Sequence, residues 1–214
     1  MINSFAMRLF SILVLAVTSF GGVDDQDQNA KDREIARATL PLPERLKDGA
    51  AVVRMSSAAF PETIRKGTNS MVCIANGPAP GIDVRCYQED FIGVVYRNFQ
   101  LVAEGVRGPE LANRVESEIK AGKITLPAHP TAGYRCAGPA KGYNEAAGTV
   151  TDEIYCWESV HFPFRTAQEL GLMDESEVPE AMKRKVAFVM SSGRYWSHVM
   201  IMHPNGSDHA HQSQ

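Results

Sequence analysis

His198, Met200 and Met202 stand at i, i+2 and i+4 near the end of the chain. In a strand, that spacing turns all three side chains to one face. An imidazole with two thioether sulfurs is a donor set suited to Cu(I). The same residues also suit plain packing. Val199 and Ile201 make the opposite face apolar, and methionine fills irregular gaps in a buried strand. Packing is the favoured role of these residues. No catalytic residue, cofactor or metal ligand is assigned, and His198, Met200 and Met202 stand as the metal candidates.

Alternation along Glu153–His161 sorts a second set of reactive groups. Tyr155, Trp157, Ser159 and His161 share one face; Ile154, Cys156, Glu158 and Val160 share the other. Glu158 and His161 therefore cannot form a local acid–base pair. Tyr155, Trp157 and His161 make an aromatic but polar face suited to contact with a partner. Ser191, Ser192 and Ser197 lie near His198 in sequence, yet no G-x-S-x-G elbow occurs. Gly67, Gly77 and Gly81 form neither a dinucleotide fingerprint nor a Walker loop. Lys183-Arg184-Lys185 reads as a solvated run paired with Glu175, Glu177 and Glu180. His203, His209 and His211 offer at best a low-affinity surface metal site on a loose tail.

The cysteine chemistry depends on the compartment. Arg8 precedes the apolar run Leu9–Val17, and small residues follow at Thr18, Ser19, Gly21 and Gly22. That order of charge, apolar stretch and small-residue exit predicts a secretory signal peptide over residues 1–21. An uncleaved anchor is the other reading of the segment. The apolar run is shorter than the ~20 residues that span a bilayer, and no later run is longer. The expected location is secreted or periplasmic, with no transmembrane segment after signal removal. In an oxidising compartment four cysteines read as disulfides. Cys73, Cys86, Cys136 and Cys156 allow three pairings. Cys73–Cys86 and Cys136–Cys156 are favoured, because each joins sequence neighbours across a turn. Zinc would call for close C-x-x-C pairs, which are absent.

These residues need elements to hold them. Residues 22–49 are polar at first and then broken by Pro41 and Pro43, so they read as a mobile arm. A short helix is expected within it at 32–38, and one helical turn at 44–48. Residues 50–204 read as a single domain and 205–214 as a disordered tail. Strands are expected at 50–55, 63–65 and 71–75, with a Gly/Pro loop at 76–81. Tyr87, Phe91, Val95, Phe99 and Val102 form a helical stripe over 87–104. Pro109 and Gly122 bracket a second helix over 110–121. Strands follow at 133–137, 153–161, 186–190 and 197–203. Thr166 and Glu169 form a capping box for a short helix closed by Gly171. The expectation is an α+β fold, disulfide-stapled: a mainly antiparallel sheet with a central block of two helices.

Two segments carry a resemblance. One is Arg65-Lys66-Gly67-Thr68-Asn69 leading to Val72-Cys73, with a second cysteine at 86. The other is Phe188-Val189-Met190, Gly193, and His198-Val199-Met200-Ile201. Together they resemble an uncharacterised family of exported bacterial proteins that has a "GTN…C" element and a C-terminal "VM…G…H-x-M" element. Members often have a Trp before the first Cys and a Thr-Pro after the late Gly. Here Met71-Val72 and Arg194-Tyr195 stand instead. The resemblance spans residues 50–203 with a poorly matched middle. It implies export, a Cys73–Cys86 link and a compact domain, and it supplies no activity.

The 214 residues carry 22 Lys plus Arg against 25 Asp plus Glu, a formal net charge of −3. That balance excludes a strongly basic nucleic-acid binder. The partner is unknown. The sequence supports an exported, non-enzymatic domain that binds a ligand, a partner or the envelope. The alternative is a small hydrolase or a metal-dependent, copper-handling protein built on His198 or His161.

Overall fold

The computed structural model describes residues 22–56, 60–76 and 81–202. The signal segment 1–21 and the tail from His203 onward lie outside the described residues. In chain order the elements are α1 (Gly22–Ala38), α2 (Glu44–Lys47), β1 (Ala51–Met55), β2 (Pro61–Arg65), β3 (Met71–Ile74), β4 (Ile82–Gln88), α3 (Ile92–Ala103), α4 (Gly108–Lys120), β5 (Thr131–Gly138), β6 (Tyr143–Asn144), β7 (Thr149–Val150), β8 (Tyr155–His161), α5 (Ala167–Leu170), β9 (Met173–Asp174), β10 (Phe188–Met190) and β11 (His198–Met202). Nine strands form one sheet in the order β2-β1-β3-β4-β5-β8-β11-β10-β9. Only the β1–β3 and β9–β10 pairings are parallel. The fold is α+β with a large, mostly antiparallel sheet, as the pattern of runs and turns implied.

The register gives each face its own character. Val52, Cys73 and Cys86 stand side by side on one face, with Val84, Cys136 and Cys156 one row away. Both disulfides, Cys73–Cys86 and Cys136–Cys156, join directly opposed residues of neighbouring strands. Ala38 and Leu42 are fully buried over this face. That corrects the reading of 22–49 as a mobile arm. The polar composition describes the exposed part of α1, while Ala38, Leu42 and Ala50 supply the apolar anchors that dock the rest.

The other face carries α3 and α4. Val53, Met55, Val72, Ile74 and Tyr87 pack there against Phe91, Val94, Val95, Leu101 and Val115. Fully burying a side chain such as Phe91 contributes ~1.5–3 kcal/mol. Helix α3 begins later than its stripe suggested, at Ile92, because Tyr87 belongs to β4. Pro109 does sit in the first turn of α4. Thr166 caps α5 with Glu169 in a reciprocal box, and Gly171 closes it at φ 67°.

Candidate functional site

Three rows of side chains cross the helix-covered face beneath the edge of α3. The first runs Arg85, Arg135, Trp157 over β4, β5 and β8. The second runs Tyr87, Gly133, Ser159, Met200 over β4, β5, β8 and β11. The third runs Thr131, His161, His198, Met190 over β5, β8, β11 and β10. Residues remote in sequence meet because each strand sends every second side chain to this face.

Asp83, beside Arg85 on the same face, has a wholly buried carboxylate. Arg85 donates to it from Nε and Nη2 at 2.9 and 2.7 Å, and Arg135 from Nε at 2.8 Å. Burial by itself would raise the Asp83 pKa; the Arg85 bonds and charge, with Arg135 behind them, hold it below the usual carboxylate value. The Arg85 guanidinium also lies 5.9 Å from the centre of the Phe99 ring on α3. Arg135 covers Trp157 at 4.9 Å, Trp157 stacks on Tyr155 at 5.9 Å, and Arg184 covers Tyr155 at 4.4 Å.

The two histidines are buried. His161 is 2% exposed and His198 8%. Their rings lie 4.9 Å apart, and Phe91 lies 4.4 Å from His161. Desolvation, and then the proximity of His198, push the His161 pKa well below its ordinary value. Desolvation also lowers His198, opposed by its bond to a backbone carbonyl. His198 Nδ1 lies 2.7 Å from the Trp196 carbonyl, so Nδ1 carries the proton and donates. His161 Nε2 meets Ser159 Oγ at 3.2 Å. Its Nδ1 has no hydrogen-bond partner among the described residues, nor does Oγ1 of Thr131 beside it.

Two cavities open here and adjoin. One, about 300 Å³, lies over the polar rows and includes Arg85, Arg135, Trp157, His161, His198 and Trp196. The second, about 400 Å³, lies between α3, α4 and the β10–β11 loop. Val95, Phe99, Val102, Leu111 and Ala112 give it an apolar wall. Arg85, Ser191 and Trp196 border both. Each volume falls in the range of small-molecule sites, ~300–1,000 Å³. The loop is tied down: Arg194 Nε donates to Glu116 at 2.7 Å, and Tyr195 OH to Asn98 Oδ1 at 2.7 Å. Ser191 takes the left-handed backbone region at φ 54°, an uncommon state for a serine and one that recurs at ligand clamps.

Of the residues singled out in the sequence, His198, Met200 and Met202 do share a face. Met200 packs with Phe188 and Val178, and Met202 against the same cluster. No group of three or more His, Cys, Asp or Glu among the described residues is placed to hold a metal ion. Tyr155 and Trp157 form a stacked pair, but His161 leaves the proposed contact surface. It is buried against the ring of Phe91, the residue that precedes α3. Asp83, Arg85, Arg135 and Trp196 were missed. Strict alternation of Ile82, Val84 and Cys86 with Asp83, Arg85 and Tyr87 was the available signal for the first two. Compared with known proteins, the chain matches no family profile, no curated protein and no solved structure.

Proposed function

We propose that this is an exported, non-enzymatic binding domain whose ligand is a small molecule held in the double cavity between the sheet and α3–α4. The observation that carries the reading is the junction itself. An apolar chamber and a polar one share Arg85, Ser191 and Trp196, so one ligand can occupy both. Two disulfides, the signal-like first residues and the resemblance to exported proteins support the compartment. Among the described residues no helix is long and apolar enough to cross a membrane.

The hydrolase reading draws on the Ser159–His161 contact. A serine nucleophile needs its histidine oriented through the second ring nitrogen, and Nδ1 of His161 bonds to nothing described. The copper reading draws on His198 and Met200, whose contacts are those of packing.

The test uses 1-N-phenylnaphthylamine, a neutral apolar dye. Saturable one-to-one binding is expected, abolished by Ala112→Phe, which fills the apolar chamber from α4. Absent binding, or binding indifferent to that substitution, would overturn the reading. Turnover of p-nitrophenyl esters that disappears in Ser159→Ala would replace it with the hydrolase.

A further inference from the structure

We infer that the ligand is an amphiphilic monoanion, with a carboxylate head on Arg85 and Arg135 and an apolar body in the chamber between α3 and α4. This rests on the binding-domain reading and specifies the chemistry of its ligand.

The charge count points to the head. Among the residues bordering the polar cavity, the charged ones are Arg85 and Arg135. Asp83 beneath them supplies one negative charge against two positive ones, and one cationic charge is left over. The buried histidines do not add to it, since both favour the neutral form. A monoanion balances the site.

Hydrogen-bonding capacity points the same way. A guanidinium has five N–H donors in a rigid fork that matches a carboxylate. Asp83 takes Nε and Nη2 from Arg85 and Nε from Arg135, so each guanidinium has more donors than Asp83 uses. Asp83 also fixes both forks in place before a ligand arrives, which lowers the ordering cost of binding. Arg135 is further clamped on Trp157 and Arg85 beneath Phe99.

The body follows from the second chamber. Phe99, Val102, Leu111 and Ala112 offer it no hydrogen bond beyond the backbone. The charged residue that borders this chamber besides Arg85 is Arg194, and Glu116 holds it at 2.7 Å. An apolar chain or ring entering there replaces water against carbon.

Both tryptophans of the chain, Trp157 and Trp196, border the polar cavity, so intrinsic fluorescence reports on the site. Decanoate, decan-1-ol and decylamine share one apolar body and carry negative, neutral and positive heads. Titrated below their aggregation limits, decanoate is expected to bind at least tenfold tighter than either of the others. Arg135→Gln should abolish that preference, with decanoate affinity falling to that of decanol. Arg135→Lys, which keeps the charge but not the fork, should fall between. Decanol binding as tightly as decanoate, with both blocked by Ala112→Phe, would overturn the anionic head and leave the binding domain standing. No response to any of the three would overturn the inference outright, and the dye experiment then decides the cavity reading separately. If Arg135→Gln fails to fold, the comparison of heads on the native protein is decisive by itself.

Discussion

Setting an imidazole among Tyr87, Phe91, Trp196 and His198 removes the water that would stabilise its charge. His161 is therefore neutral in the folded protein at pH values where the unfolded chain takes up a proton. Its folded pKa lies below the unfolded value of ~6.5. Below pH ~6.5 the unfolded state binds more protons than the native state, so stability falls as pH falls. The contribution is fully present above that pH and is lost on the acid side. His198 acts with the same sign. Asp83, whose pKa is depressed, acts in a separate and lower window, where carboxylates protonate. Urea unfolding at pH 7.5 and 5.5 should show an acid-side loss of about 1.4 kcal/mol for each histidine that stays neutral when folded. His161→Phe should remove its share and keep the rest. An unchanged pH dependence in that variant would show that the native protein protonates His161 as readily as the unfolded chain does.

At the scale of elements, β4 and β5 explain both what could be read in the sequence and what could not. The four strands expected after residue 130, the helices α3 and α4 and the capping box followed from periodicity, proline placement and turn residues. Strand β4 did not. The helical stripe that starts from Tyr87 competes with the alternation of 82–87, and Asp83 and Arg85 look like solvent-facing residues of a loop. Asp83 is buried, and Arg85 partly so, because Arg135, 50 residues on from Arg85, completes their pairing across a strand boundary. No local pattern contains that partner. Gly133 on β5 is the other concealed requirement. A Cβ built there would lie 2.6 Å from Ser159 Oγ, 2.9 Å from His161 Nε2 and 3.2 Å from Tyr87 Cε1. The missing side chain is what lets three side chains converge over the middle of the sheet. Gly133→Ala should destabilise the fold by ~1–3 kcal/mol, the range for overpacking a close-packed interior. Equal denaturation midpoints for variant and native protein would mean that Ser159 and His161 move aside without cost.

Across the whole molecule, one face of the sheet is stapled and the other carries the two adjoining cavities. Cys86 lies between Arg85 and Tyr87 in β4, Cys136 follows Arg135 in β5, and Cys156 precedes Trp157 in β8. Alternation sends each cysteine to the α1 face and its neighbour to the cavity face. The bond joining β5 to β8 therefore sits directly behind the Arg135–Trp157 pair, and the bond joining β3 to β4 sits behind Arg85. The staples restrain the unfolded chain across sequence separations of 13 and 20 residues. In the chain-entropy account each contributes ~3 kcal/mol. The Cys136→Ala/Cys156→Ala double variant should lose about that much in urea unfolding. Because β5 and β8 are already paired through seven opposed residues, the variant should still fold and keep its sheet. Its decanoate affinity should fall more than its decanol affinity, since Arg135 and the Trp157 that clamps it stand on those two strands and the apolar chamber does not. Equal losses for both ligands would mean that the staple supports the whole layer rather than the arginine row, and an unchanged unfolding midpoint would remove its structural role altogether.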